Sequence, residues 1–164
     1  RYWVKSMAPV MTAILAIQVV GGAVATASDV RYVFSNGKQT AQFIIAHGLR
    51  GLPMVGEYDM AAVTVIGYLG TKGMYYPRGK RFGSFVVFDK ARGEFLPWAD
   101  GPTPEELVNS ARHIRSSAQQ PVLLVLTERL PREIVAQSSL VELAAFTEGG
   151  MSWEHHFLYL LPAG

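Results

Sequence analysis

The chain contains no cysteine, which excludes disulfides and thiolate metal sites. Charge is also scarce: Asp, Glu, Lys and Arg make up 17% of 164 residues, against roughly a quarter in ordinary soluble domains. Much of the shortfall lies in residues 6–28, "SMAPVMTAILAIQVVGGAVATAS", where no residue carries a formal charge. The short signatures of self-sufficient catalysis are missing too. There is no H-E-x-x-H, no G-x-S-x-G, no phosphate-binding glycine loop and no G-x-G-x-x-G. The adjacent pair His155 and His156 falls on a predicted strand, where neighbours point to opposite faces and cannot share one ion. His47 and His113 have no ligand-spaced partner. No metal and no cofactor is therefore expected. A net charge of +2 with a pI near 9.0 is too mild to argue for nucleic acid.

The uncharged stretch is the first positive feature. Its length matches the roughly 20 residues that a helix needs to cross a bilayer. Arg1 and Lys5 precede it and Asp29 follows, an asymmetry that favours a cytoplasmic N-terminal end and an outward-facing remainder. Tyr2 and Trp3 suit an interfacial position on the near side. Gln18, two threonines and Gly21-Gly22 weaken the hydrophobicity. Two rival readings are a signal peptide, since "AVATAS" offers small residues for processing, and an apolar helix packed on the domain. The span reading leads, with residues 1–28 as the last crossing of a longer chain and 29–164 as a domain behind it.

Beyond Asp29 helix and strand patterns alternate. "FSNGKQTAQFIIAHGLRG" reads as a helix capped by Ser35 or Asn36, with Ala41, Ile44, Ile45 and Gly48 on one face. "LPMVGE" is a short buried strand, and Asp59 is the expected cap of "MAAVTVIGYLG". "GMYYP" and "FGSFVVFD" read as strands, the second reaching Phe88. Thr103, Pro104, Glu105 and Glu106 together announce a helix to about Ala118. "PVLLVLT" is a continuous apolar strand of the kind covered on both faces. "LPREIVAQ" is a short helix, "LVELAAFT" is open between strand and helix, and "EHHFLYLL" is a final strand. The order implies an α/β fold of three layers, with a mainly parallel, Rossmann-like sheet and an antiparallel hairpin at one edge.

Two segments could carry chemistry. Open α/β sheets bind ligands beyond the carboxyl ends of their strands, and Glu57, Tyr58 and Asp59 fall at such a place. The carboxylates could hold a cation or a sugar hydroxyl, act as an acid/base pair, or simply cap a helix and meet water. In "YYPRGKRFGSF", Arg78, Lys80 and Arg81 lie on a glycine-containing turn just after Tyr75 and Tyr76. Such a cluster suits phosphate, a sugar-phosphate headgroup or anionic lipid, and is otherwise a solvated turn.

Several segments together, "VRYVFSNGKQTAQFI", "LPMVGEYDMAAVTVIGYL", "GMYYPRGKRFGSFVVFDKAR", "PVLLVLTERL" and "FLYLL", carry a resemblance across most of residues 30–161. They resemble the C-terminal extracytoplasmic domain of bacterial polytopic membrane proteins related to glycosyltransferases of the dolichyl-phosphate-mannose protein mannosyltransferase type. The resemblance implies a polyprenyl-phosphate sugar donor and a catalytic acid in an early loop of the membrane part, outside this chain. It also implies a bacterial inner membrane location with the α/β domain on the periplasmic or extracellular side. The partner would be the membrane-embedded part of the same protein.

The leading expectation is thus a non-catalytic accessory domain acting in recognition or assembly of an acceptor or lipid-linked sugar. Arg78, Lys80 and Arg81 are its candidate contacts to anionic groups. One alternative is a soluble sugar- or nucleotide-binding module, with Glu57, Tyr58 and Asp59 lining a pocket beside Tyr75. Another is a small hydrolase using Glu57 and Asp59.

Overall fold

The computed structural model describes residues 2–32, 35–86, 101–149 and 154–164. The chain divides into two compact units, Arg1–Phe34 and Ser35–Gly164. The first is one helix, α1 (Tyr2–Arg31). Within it Met7–Ser28 is 22 residues long and apolar enough to cross a membrane, and none of that segment is buried. At 1.5 Å per residue it extends about 33 Å, slightly more than a hydrocarbon layer of ~30 Å. Its apolar side chains project on every side: Ile17 and Val19, each 71% exposed, stand about 200° apart around the axis. A helix without a polar stripe is suited to lipid or to a core, not to a water-washed surface. The threonines that weaken the span by composition satisfy themselves locally. Thr12 and Thr26 donate to the carbonyls of Ala8 and Gly22, both at 2.9 Å, which leaves Gln18 as the polar group at mid-segment.

The second unit runs α2 (Gly37–Ala46), β1 (Met54–Gly56), α3 (Asp59–Leu69), β2 (Met74–Tyr76), β3 (Arg81–Gly83), α4 (Pro104–Ala118), β4 (Val122–Leu126), α5 (Arg132–Gln137), β5 (Val141–Phe146) and β6 (His156–Leu161). The six strands lie in the order β3-β2-β1-β4-β6-β5. The centre, β2-β1-β4, is parallel. β3 pairs antiparallel with β2, and β6 pairs antiparallel with both β4 and β5. The α/β class and the antiparallel pair of final strands agree with the sequence reading. The connection between those strands contains "TEGGMS", of which residues 150–152 lie outside the described residues. The β2–β3 pair lies at the opposite edge and is the third antiparallel pairing of five, so the parallel part of the sheet is its centre.

Two cores hold the sheet, one on each face. Ile44 of α2 and Val65, Ile66 and Leu69 of α3 pack against Met54, Met74, Leu123, Val125 and Leu158. On the other face Leu107, Ala111 and Ile114 of α4 pack against Val55, Leu124, Leu126, Tyr159 and Leu161. All five residues of β4 are buried because successive side chains serve opposite cores, which explains its unbroken apolar run. Among the described residues the buried apolar side chains of both cores lie between positions 41 and 161, so the core as described draws on this unit alone, as a separately folding domain requires.

Local rules account for most element ends. Thr103 accepts from the Glu106 amide at 3.2 Å, while Glu106 accepts from the Thr103 amide at 2.8 Å, a reciprocal cap with Pro104 at the first helical position. Gly70 closes α3 in the left-handed region. Gly73, at φ 134, sits where an added Cβ would collide with the Gly83 carbonyl, so a bare backbone is required at the base of the β2–β3 hairpin.

Four expectations need correction. Asp59 is the first residue of α3, not its cap; Tyr58 holds the cap position without a side-chain cap bond. Asp59 instead places a negative charge in the first turn, where the helix dipole favours it. Ile45 is 48% exposed, and Thr40 takes the buried position beside Ala41 and Ile44. β3 ends at Gly83, and the residues expected to extend it beyond Val86 lie outside the described residues. Arg81 opens β3, so it is not part of the turn that contains Arg78 and Lys80. The ambiguous "LVELAAFT" is the strand β5.

Candidate functional site

Chain direction turns at one place in the sheet. From β1 the chain passes through α3 to β2 on one side, and later through α4 to β4 on the other. In such sheets ligands bind where the order reverses, between the carboxyl ends of the two central strands. Here that is the mouth between β1 and β4. Because β6 is antiparallel to β4, with Phe157 opposite Leu126, its first residue, His156, lies at the same carboxyl edge.

Glu57 follows β1 at this mouth and spans it. Its amide donates to the Val125 carbonyl at 3.3 Å, continuing the ladder by one residue. Its Oε2 accepts from the Thr127 amide at 2.7 Å, the Thr127 hydroxyl at 2.9 Å and the Glu128 amide at 3.3 Å. A side chain at Gly101 would meet the other oxygen, Oε1, at 3.6 Å, so the approach to α4 passes beside the same carboxylate. One half-buried carboxylate thus ties the ends of β1 and β4 together.

The tyrosines separate across the sheet. Tyr75 stands opposite Val55 on the α4 face and meets Phe82 of β3 edge-to-face, with ring centroids 5.3 Å apart. Tyr76 belongs to the other face, and an added Cβ at Gly56 would come within 2.9 Å of its ring. Its buried hydroxyl has no hydrogen-bond partner. Burial first, and then the negative charge of Asp59, push its pKa well above the ordinary phenol value. The tyrosine that senses Asp59 is therefore Tyr76. Tyr75, the one singled out beside Glu57, Tyr58 and Asp59, is engaged with Phe82.

A buried polar cluster closes the same edge. Asn36, fully buried, donates from Nδ2 to the Glu154 carbonyl and accepts at Oδ1 from the Gly149 amide, both at 3.1 Å. Its side chain thereby fixes the residues at both flanks of 150–153. Thr40 donates its hydroxyl to the Asn36 carbonyl at 2.9 Å and lies 2.9 Å from His156 Nδ1. His156 Nε2 is buried without a hydrogen-bond partner, as is Oε2 of Glu154. Burial lowers the His156 pKa to about 4, and neighbouring His155 adds to the effect; the carbonyls of Ala61 and Asn36 oppose it. At neutral pH the ring is uncharged.

Among the described residues no group of three or more His, Asp or Glu side chains is placed to hold a metal ion. Comparison with family models, with curated proteins and with solved structures finds no match. Sequence reasoning missed Thr40, Thr127 and Glu154, and considered Asn36 only as a helix cap and His156 only as a metal ligand; these residues act through partners up to 118 positions away. Only the polarity of Thr40 on an apolar helix face hinted at them.

Proposed function

We propose that this chain is a membrane-tethered, non-catalytic accessory domain of a glycosyltransferase-like membrane protein, serving in recognition or assembly of an acceptor or lipid-linked sugar. The observation that carries the reading is the use of Glu57. The Glu57 carboxylate, at the mouth between β1 and β4, accepts three donors from the end of β4 on its Oε2. An oxygen so held joins the strands, whereas a general base needs a lone pair open to its substrate. The tether is supported by the length of α1 and by its apolar surface on all sides. The resemblance of the segments quoted above implies an α/β unit on the outer side of a bacterial inner membrane. The glycosyltransferase context rests on the segments quoted above.

Residues 35–164, supplied with a polyprenyl-phosphate sugar and peptide or glycan acceptors, are expected to transfer no sugar. Glu57→Gln is expected to lower the melting temperature, because a neutral amide is a weaker acceptor for the Thr127 and Glu128 donors. Robust transfer that disappears in Glu57→Gln at an unchanged melting temperature would contradict the accessory role.

A further inference from the structure

The β2–β3 hairpin combines two features that a merely solvated turn does not need. Residues 73–86 include Arg78, Lys80 and Arg81 but no acidic residue. Phe82 and Phe85, on and just beyond the edge strand β3, are 62% and 66% exposed. Charges on an exposed edge strand discourage strand-to-strand aggregation, which accounts for the cations. It does not account for two phenylalanines left more than half exposed beside them, even though one edge of Phe82 meets Tyr75. Lys80 adds a backbone cost: its φ of 45 lies in the left-handed region, where glycine is the easier residue.

We propose that this hairpin docks on the anionic headgroup layer of a bilayer, with the cations on lipid phosphates and Phe82 and Phe85 in the headgroup–acyl boundary. Basic side chains interleaved with exposed aromatics are the composition that such an interface selects. The hairpin turn follows β2 at the carboxyl edge of the parallel strands. The polypeptide also enters the α/β unit there: Asn36, just before α2, is bonded to Glu154 and Gly149 beside the start of β6. In sequence only residues 32–34 separate α1 from this unit.

The inference rests on the membrane reading of the chain, but its test omits α1, so the two can fail separately. Residues 35–164 would be sedimented with phosphatidylcholine vesicles with and without phosphatidylglycerol. Binding at least tenfold tighter to the anionic vesicles, weakening as salt rises, is expected. Lys80→Gly is expected to reduce that binding about fivefold, the equivalent of one cation at such a surface, without lowering the melting temperature. Phe82→Ser with Phe85→Ser should weaken it in the same assay with the charge intact. Equal binding to both vesicle types, no binding to either, or binding unchanged in Lys80→Gly would overturn the proposal.

Discussion

Asn36→Ala is expected to lower the unfolding free energy of residues 35–164 by about 3 kcal/mol, read by urea denaturation. The size follows from what remains behind. Removing the amide strands the buried Glu154 carbonyl, and a buried polar group left without a partner costs about 1–3 kcal/mol; the half-buried Gly149 amide loses its acceptor as well, and the emptied amide site adds a cavity. For a unit of this size the melting temperature should fall by roughly 10 °C. Asn36→Asp is no rescue. It keeps the acceptor for Gly149, removes the donor to Glu154 and buries a charge, so it should be at least as damaging. A loss below 1 kcal/mol in Asn36→Ala would mean that the clasp around residues 150–153 is not structural.

The second large effect is a dependence on acid. His156 has a folded-state pKa of about 4 against an ordinary value near 6.5. Between those two pH values the unfolded chain binds the proton and the folded chain does not. Stability is therefore full above about pH 6.5 and falls as pH drops toward 4, by about 3 kcal/mol from this residue alone. The groups that face the ring are the Thr40 hydroxyl, His155, whose charge adds to the destabilisation, and the carbonyls of Ala61 and Asn36, which soften it. Glu154 lies two residues before it in the chain, with its buried Oε2 unpartnered. Melting curves of wild type and His156→Asn from pH 7 to pH 4 isolate the contribution, since the other groups are shared. The wild type should lose stability more steeply; parallel curves would show that the imidazole does not govern the acid response.

Both predictions concern residues that the sequence hides, and the reason is physical. Features encoded within a few residues were legible. The Thr103, Pro104 and Glu106 cap marked α4, the unbroken run of β4 implied a sheet covered on both faces, and residues 6–28 marked an apolar helix long enough for a bilayer. What was illegible depends on contacts between distant positions. Thr40 reads as a flaw in an apolar face until His156, 116 positions later, is placed beside it. Glu57 reads as half of a carboxylate pair until Thr127 arrives 70 positions later. Tyr75 and Tyr76 are neighbours in sequence, yet they serve opposite faces of the sheet, and only strand register says which of them feels the charge of Asp59. Asp59 itself resembled a helix cap, a role that depends on a one-residue difference in where α3 starts.

The most direct test of the account is alkaline carbonate extraction of cell membranes after expression of the full chain and of residues 35–164. Carbonate strips proteins held by surface charge and leaves those that cross the bilayer. The account predicts that the full chain stays in the membrane pellet through Met7–Ser28, while residues 35–164 are recovered in the supernatant. Recovery of the full chain in the supernatant would contradict the tether, and with it the placement of this domain at a membrane.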